Sequence, residues 1–296
     1  MSLLLACVLC TALMVADLFA RAARLRWFLR GAGATPSLGA ICVAILFSDA
    51  AAAVTPMRLG GEPARWLGLR SAGVPGGAAV AVLAVEMVSY MAVVAFTGAA
   101  TAWLMGAEWW AAVGPRLAAR AGEGVPWAAA VVAASAAVWV CARRGRAGRA
   151  PAAAQAPAVA ALRGAIGWPL AASVPLTVAS IAARLAVLPV LAQALPAPPP
   201  LGVLVLGSFA LTYGQLFFPT PGGAGAVELL ASAGTAGELG GTAGPVFVAW
   251  RAITTGLPVV AGFALAVHSY GGAAVRNALR GQRPADLPQV DAVELA

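Results

Sequence analysis

The sequence predicts an all-α polytopic membrane protein with about seven full spans and two broken or re-entrant segments arranged as an inverted repeat. Three observations predict it. Of 296 residues, 61% are hydrophobic and only 10% charged, with a mean hydropathy of +0.87; a soluble domain could not cover that much apolar surface with so few charges. Apolar runs also recur at the length that covers a bilayer's hydrocarbon core, about 20 residues. Finally, two helix-breaking stretches end on an acid between such runs: Thr55-Pro56-Met57-Arg58-Leu59-Gly60-Gly61-Glu62 and Phe218-Pro219-Thr220-Pro221-Gly222-Gly223-Ala224-Gly225-Ala226-Val227-Glu228. Backbone that leaves the helix at bilayer depth must be buried in protein or line a wet cavity, because lipid cannot hydrogen-bond it. Transporters place substrate sites at such breaks.

The predicted spans lie at 2–20, 38–55, 77–103, 126–142, 165–194, 200–218 and 244–270. The first begins at once, without a basic leader, and reads as a retained span rather than a cleaved signal peptide. Its Cys7 and Cys10 have metal-ligand spacing, but no second pair and no histidine accompany them, so they read as small hydrophobes. Arginine clusters follow the first run (Arg21, Arg24, Arg26, Arg30), the fourth (Arg143, Arg144, Arg146, Arg149) and the last (Arg276, Arg280, Arg283). The positive-inside rule places all three in the cytoplasm, with the N-terminus outside, the C-terminus inside and 276–296 a polar cytoplasmic tail. The net charge of +8 is absorbed by that topology and does not call for nucleic acid as a partner. The stretch 104–125, with Glu108, Trp109, Trp110 and Arg116, suits an outer loop.

This orientation requires the chain to cross back within 56–76, and again within 219–243, although both are too polar for ordinary spans. A half-depth segment in each half resolves the conflict. The halves, roughly 38–103 and 200–270, also match internally. Glu86 follows Thr55-Pro56, and Arg251 follows Thr220-Pro221, at the same interval of 31 residues (55 to 86 and 220 to 251). Ser-Ala-Gly and Gly-Gly steps recur between these points in both halves.

An ionised group at the bilayer centre costs at least a few kcal/mol, so it faces a cavity or a partner. The candidates are Asp49, Glu62, Arg65, Glu86, Arg184, Glu228 and Arg251, with Arg58 at the first break. Arginine suits phosphate because its planar fork binds bidentately, and a helix start after Gly223 would add free amide donors. Against this stands a purely structural reading, in which the charges pair with one another, for example Glu86 with Arg251. The sequence holds no Ser/His/Asp set, no His-x-x-x-His, no P-loop and no dinucleotide fingerprint. One histidine and four scattered cysteines make a zinc site improbable. No cofactor and no metal is expected.

Taken together, these residues resemble the lysylphosphatidylglycerol synthase transmembrane family, also called the flippase-like domain family. The resemblance rests on Pro219 through Glu228, on Pro56…Gly60-Gly61-Glu62-Pro63-Ala64-Arg65, on Glu86, and on Arg251 followed by Ile253-Thr254, and it covers roughly 1–275. It implies a multi-pass inner-membrane protein that moves a lipid headgroup between leaflets. The lipid would be an anionic or aminoacylated phospholipid, a hopanoid or a lipid-linked sugar. Asp49, Arg58, Glu62, Arg65, Glu86, Arg184, Pro221, Gly222, Gly223, Glu228 and Arg251 are then the expected substrate-binding residues. Only about 20 polar residues follow 276, so the soluble aminoacyltransferase domain of the full-length synthases is not expected, nor is lysylphosphatidylglycerol synthesis. Two other classes compete: an enzyme acting on a lipid headgroup, and a non-catalytic adaptor for a lipid- or glycan-modifying enzyme. A homo-oligomer is also compatible.

Overall fold

A computed structural model describes the backbone of residues 1–145, 155–215, 220, 223 and 243–272, with side chains at all of these except 116–145, 155–158 and 243. Every regular element among them is helical. Helix α1 is Leu3–Gly31. It starts where the Ser2 hydroxyl accepts from the Leu5 amide at 3.4 Å. It stops where Gly33 takes a φ of +80° and the Ala34 amide donates back to the Leu29 carbonyl at 2.8 Å, a glycine-dependent C-terminal closure. The expected span ended at residue 20. No helix breaker occurs between 21 and 30, so the helix continues and carries Arg21 and Arg24 inward. These two are buried or nearly so rather than part of an interfacial cluster.

Helix α2 (Leu38–Val54), capped by the Ser37 hydroxyl, turns back on itself through 55–60 into α3 (Gly61–Ser71). The two run antiparallel: a Cβ on Gly61 would meet Ala52 and Ser48, and one on Gly68 would meet Ala44. Eleven residues of helix reach ~16 Å, about half of a 30 Å hydrocarbon core. The chain thus reverses direction through 55–60.

Helix α4 runs unbroken from Gly76 to Gly145. The outer loop expected at 104–125 is therefore helical, and the return crossing it was to make is not made there. Its Ala, Trp, Glu and Met residues between 102 and 112 all tolerate helix, so interfacial composition alone did not mark a break. The chain continues as α5 (Gln155–Ile166), α6 (Trp168–Ala192), α7 (Leu201–Gly214) and α8 (Ala243–Arg251), then a π-helical turn, Ala252–Gly256, and α9 (Leu257–Tyr270). Four stretches among the described residues are long and apolar enough to cross a membrane: Leu3–Gly31, Gly76–Pro115, Trp168–Ala192 and Gly244–Tyr270. Helices α2 and α7, with 17 and 14 residues, fall short. Four of the roughly seven expected spans are thus found among the described residues: 77–103 and 126–142 belong to one continuous helix, and α2 and α7 have 17 and 14 residues.

Helix α1 is the centre of the packing. Its Leu25, Phe28 and Leu29 join Ile41, Ile45, Leu69 and Val82 in one buried cluster. Its Cys10 joins Val187, Leu188, Leu191, Leu211 and Trp250 in another. Backbones touch at two glycines: a side chain on Gly164 would overlap the Gly31 carbonyl, and one on Gly262 the Leu46 carbonyl. Small residues at helix contacts are the usual device where lipid removes the hydrophobic drive for association. Phe96, Trp103, Leu104 and Val260 point outward, at least 71% exposed, as suits a lipid-facing surface.

Candidate functional site

The turn between α2 and α3 is built by one hydroxyl. Thr55 Oγ1 donates to the Ala51 carbonyl at 2.8 Å and accepts from the Gly60 amide at 2.9 Å. Within this clasp, Met57 and Arg58 both adopt left-handed backbone, with φ of +51° and +58°. Such a conformation disfavours non-glycine residues by about 1–2 kcal/mol each. It aims the Arg58 guanidinium at the end of α7, where Nη1 donates to Gln215 Oε1 at 3.1 Å. The Gln215 amide nitrogen in turn donates to the Leu211 carbonyl at 2.9 Å, which fixes its oxygen towards Arg58.

This turn forms one side of a cavity of about 490 Å³. Two ion-pair networks line it. In the first, Arg21 grips Asp49 with two bonds, 3.1 and 2.8 Å, and reaches Asp17 at 3.0 Å. Arg184 pairs with Asp17 at 2.9 Å and approaches Asp49 at 4.0 Å, while the Ser180 hydroxyl donates to Asp17. This network joins α1, α2 and α6. In the second, Glu86 on α4 takes Arg24 of α1 at 2.7 Å and Arg65 of α3 on its other oxygen. Arg24 also donates to Thr177 of α6 at 3.1 Å and lies 5.1 Å from the Tyr90 ring centroid. Arg65 reaches Glu62 only at 3.6 Å, and Glu62 is 43% exposed.

Among the described residues each network balances: two arginines against two aspartates, and two arginines against two glutamates. Asp17, Arg24 and Glu86 are essentially buried, where full pairing is what makes an ion tolerable. Among the described lining residues Arg58 is the remaining cation, and its hydrogen-bond partner there is neutral. Across the cavity stand Thr212, Tyr213, Gln215, Trp250, Thr254, Thr255 and Pro258.

Of the residues singled out from sequence, Asp49, Arg58, Glu62, Arg65, Glu86 and Arg184 all line this cavity. Arg251 ends α8, and its neighbours Trp250 and Thr254 contribute to the lining instead. The Glu86–Arg251 pair expected under the structural reading does not form, because Arg24 and Arg65 occupy the Glu86 carboxylate. Gly223 is buried with φ +67° and donates its amide to the Thr220 carbonyl at 3.1 Å. Pro221, Gly222 and Glu228 lie outside the described residues, so the facing of the two repeat motifs does too.

Sequence reasoning overlooked Asp17, Arg21, Arg24, Tyr90 and Gln215. A signal for the first two was present. Asp17 and Arg21 stand four apart, the spacing that pairs charges along a helix, inside a stretch that otherwise reads as a span. Gln215 carried no such mark. Among the described residues no group of histidine, cysteine or carboxylate side chains could hold a metal ion.

A family model described as the lysylphosphatidylglycerol synthase TM region matches residues 1–262. No curated protein and no solved structure matches the chain. The match takes in most of the sequence, and the chain belongs to the lysylphosphatidylglycerol synthase transmembrane family.

Proposed function

We propose that this member of the lysylphosphatidylglycerol synthase transmembrane family is a non-catalytic lipid flippase or lipid carrier. It takes a lipid headgroup into the charged cavity while the acyl chains stay in the bilayer. The observation that carries the reading is the cavity itself: about 490 Å³, lined among the described residues by five arginines and three acids, inside a helical body with an apolar exterior. Purely structural ion pairs have no need of a void beside them, whereas a headgroup does. Among the described lining residues no nucleophile–base pair is set up for chemistry on the headgroup, which favours carriage over modification.

A second reading is a membrane adaptor for a lipid- or glycan-modifying enzyme, and the internal balance of the two networks supports it. We place the protein in the inner membrane with its N-terminus outside and its C-terminus cytoplasmic, on the strength of Arg276, Arg280 and Arg283; each basic residue near an anionic leaflet contributes about 1 kcal/mol. The deciding experiment is reconstitution of the full chain into vesicles with a headgroup-labelled phospholipid in one leaflet. Transbilayer movement above that of protein-free vesicles supports the flippase reading. Movement at the protein-free rate, across phospholipids of different headgroup, refutes it.

A further inference from the structure

We infer that Arg58 is the residue that recognises the phosphate of the lipid headgroup, and that Gln215 is a neutral placeholder which the phosphate displaces. The inference rests on the lipid-carrying reading above but concerns binding, so it can fail separately. Four of the five lining arginines are each engaged by at least one carboxylate. With Asp17, which is not itself part of the lining, counted in, the two networks they form are neutral among the described residues, so the net positive charge of the described site resides on Arg58. The lining acid Asp49 is already held by both oxygens in the Arg21 fork. Its one hydrogen bond, to Gln215 at 3.1 Å, uses Nη1 alone. The remaining guanidinium donors meet no acceptor among the described residues, although the side chain lines the cavity.

A guanidinium has five N–H donors in a planar fork that matches two phosphate oxygens. A carboxylate partner would compete with phosphate for that fork; an amide oxygen competes weakly, because it is uncharged and offers one acceptor atom where a phosphate offers two anionic oxygens to the fork. Gln215 therefore holds Arg58 in place without neutralising it. Holding matters because the backbone beneath is strained. Met57 and Arg58 are both left-handed, and the Thr55 clasp and Gly60 fix that turn. Strain retained at a cavity wall is characteristic of a binding position. The ligand chemistry is a phosphate ester anion, and the source is either a phospholipid headgroup or a soluble phosphate.

The test uses the full chain in nanodiscs and three variants: Arg58→Gln, Arg58→Lys and Gln215→Glu. Binding of a headgroup-labelled phosphatidylglycerol is measured by fluorescence anisotropy, with inorganic phosphate as competitor. Arg58→Gln should weaken binding by about tenfold or more, the effect of losing one charge-assisted bond, and Arg58→Lys should lose less. Gln215→Glu should also weaken binding by about tenfold, because the new carboxylate claims the fork, and the protein should melt no lower than the parent. A merely structural Arg58 gives the opposite pattern: Gln215→Glu raises the melting temperature and leaves lipid binding at the parent level. Competition by millimolar phosphate would assign the site to soluble phosphates, which overturns the lipid assignment. If the parent moves lipid while both Arg58→Gln and Gln215→Glu bind it normally, the inference fails and the flippase reading stands. If the parent binds lipid through Arg58 but does not move it, the inference stands and the flippase reading fails. No binding of phosphatidylglycerol by the parent refutes the inference, and the flippase reading is then decided by the transport assay alone.

Discussion

Replacing Glu86 with glutamine removes a carboxylate that is 1% exposed and that holds two arginines at once. The two arginines are not left equally stranded. Arg65 keeps Glu62 at 3.6 Å and is at the cavity edge. Arg24 is 3% exposed and keeps only the Thr177 hydroxyl and the Tyr90 face. Breaking a buried pair by removing one partner costs about 3–5 kcal/mol, because the other charge is left uncompensated. The whole folding free energy of a typical domain is about 5–15 kcal/mol, so Glu86→Gln should be severe, and most of its effect should come from Arg24. The double variant Arg24→Gln/Glu86→Gln removes both members of the pair and leaves Arg65 with Glu62. It should recover the larger part of the loss, whereas Arg65→Gln/Glu86→Gln should recover little. Melting of purified protein in nanodiscs, followed by the fluorescence of the nine tryptophans, reads all four. A Glu86→Gln protein as stable as the parent, or equal recovery in the two doubles, would refute this account of the network.

Asp17→Asn should destabilise by a similar amount, since it releases Arg21, Arg184 and Ser180 together; the same melting assay applies. Gly164→Ala should cost about 1–3 kcal/mol, in the range of overpacking a closed contact, because its Cβ would overlap the Gly31 carbonyl; Gly244→Ala, where a Cβ meets nothing within 4 Å, should be nearly neutral and serves as the control. Met57→Gly should raise stability by up to about 1 kcal/mol by relieving a left-handed conformation, and a lower melting temperature would show that the Met57 side chain contributes more packing than its backbone loses. A reporter fused to the C-terminus should give a cytoplasmic signal; a periplasmic one would reverse the proposed orientation.

The fold class and most of the cavity charges were legible in the sequence for one physical reason. A charge inside an apolar run is expensive enough to announce itself, so Asp49, Glu86 and Arg184 stood out without any knowledge of their neighbours. The same rule was misapplied to Arg21 and Arg24. Arginines at the end of an apolar run look like an interfacial cluster, and only the continuation of α1 to Gly31 shows that they turn inward. Pairing was not legible at all. The repeat suggested Glu86 with Arg251, yet the partners of Glu86 come from α1 and α3, a choice made by helix packing that no spacing rule encodes. Gln215 was invisible for the converse reason: a lone glutamine at a helix end is ordinary, and its meaning comes entirely from the cation opposite.

The placement of the ion pairs divides the cavity into unlike walls. Both networks lie among α1, α2, α3, α4 and α6, and each carboxylate in the tightest pairs bridges arginines from more than one place, so separating these helices would strand buried charge. The opposite wall comes from the end of α7 and from the α8–π-turn–α9 segment, and it faces the first with hydroxyls, an amide and Trp250. Among the described residues two hydrogen bonds cross the gap, Arg58 to Gln215 and Tyr90 to Tyr213 at 3.3 Å. Breaking either strands no buried ion pair. The π turn at Ala252–Gly256 adds a wide coil to that same side, a feature that clusters at functional positions in helices. Arg58 therefore stands at the seam between the part held by charge and the part that is not, while the close approach of Gly262 to the Leu46 carbonyl ties α9 to α2 by packing.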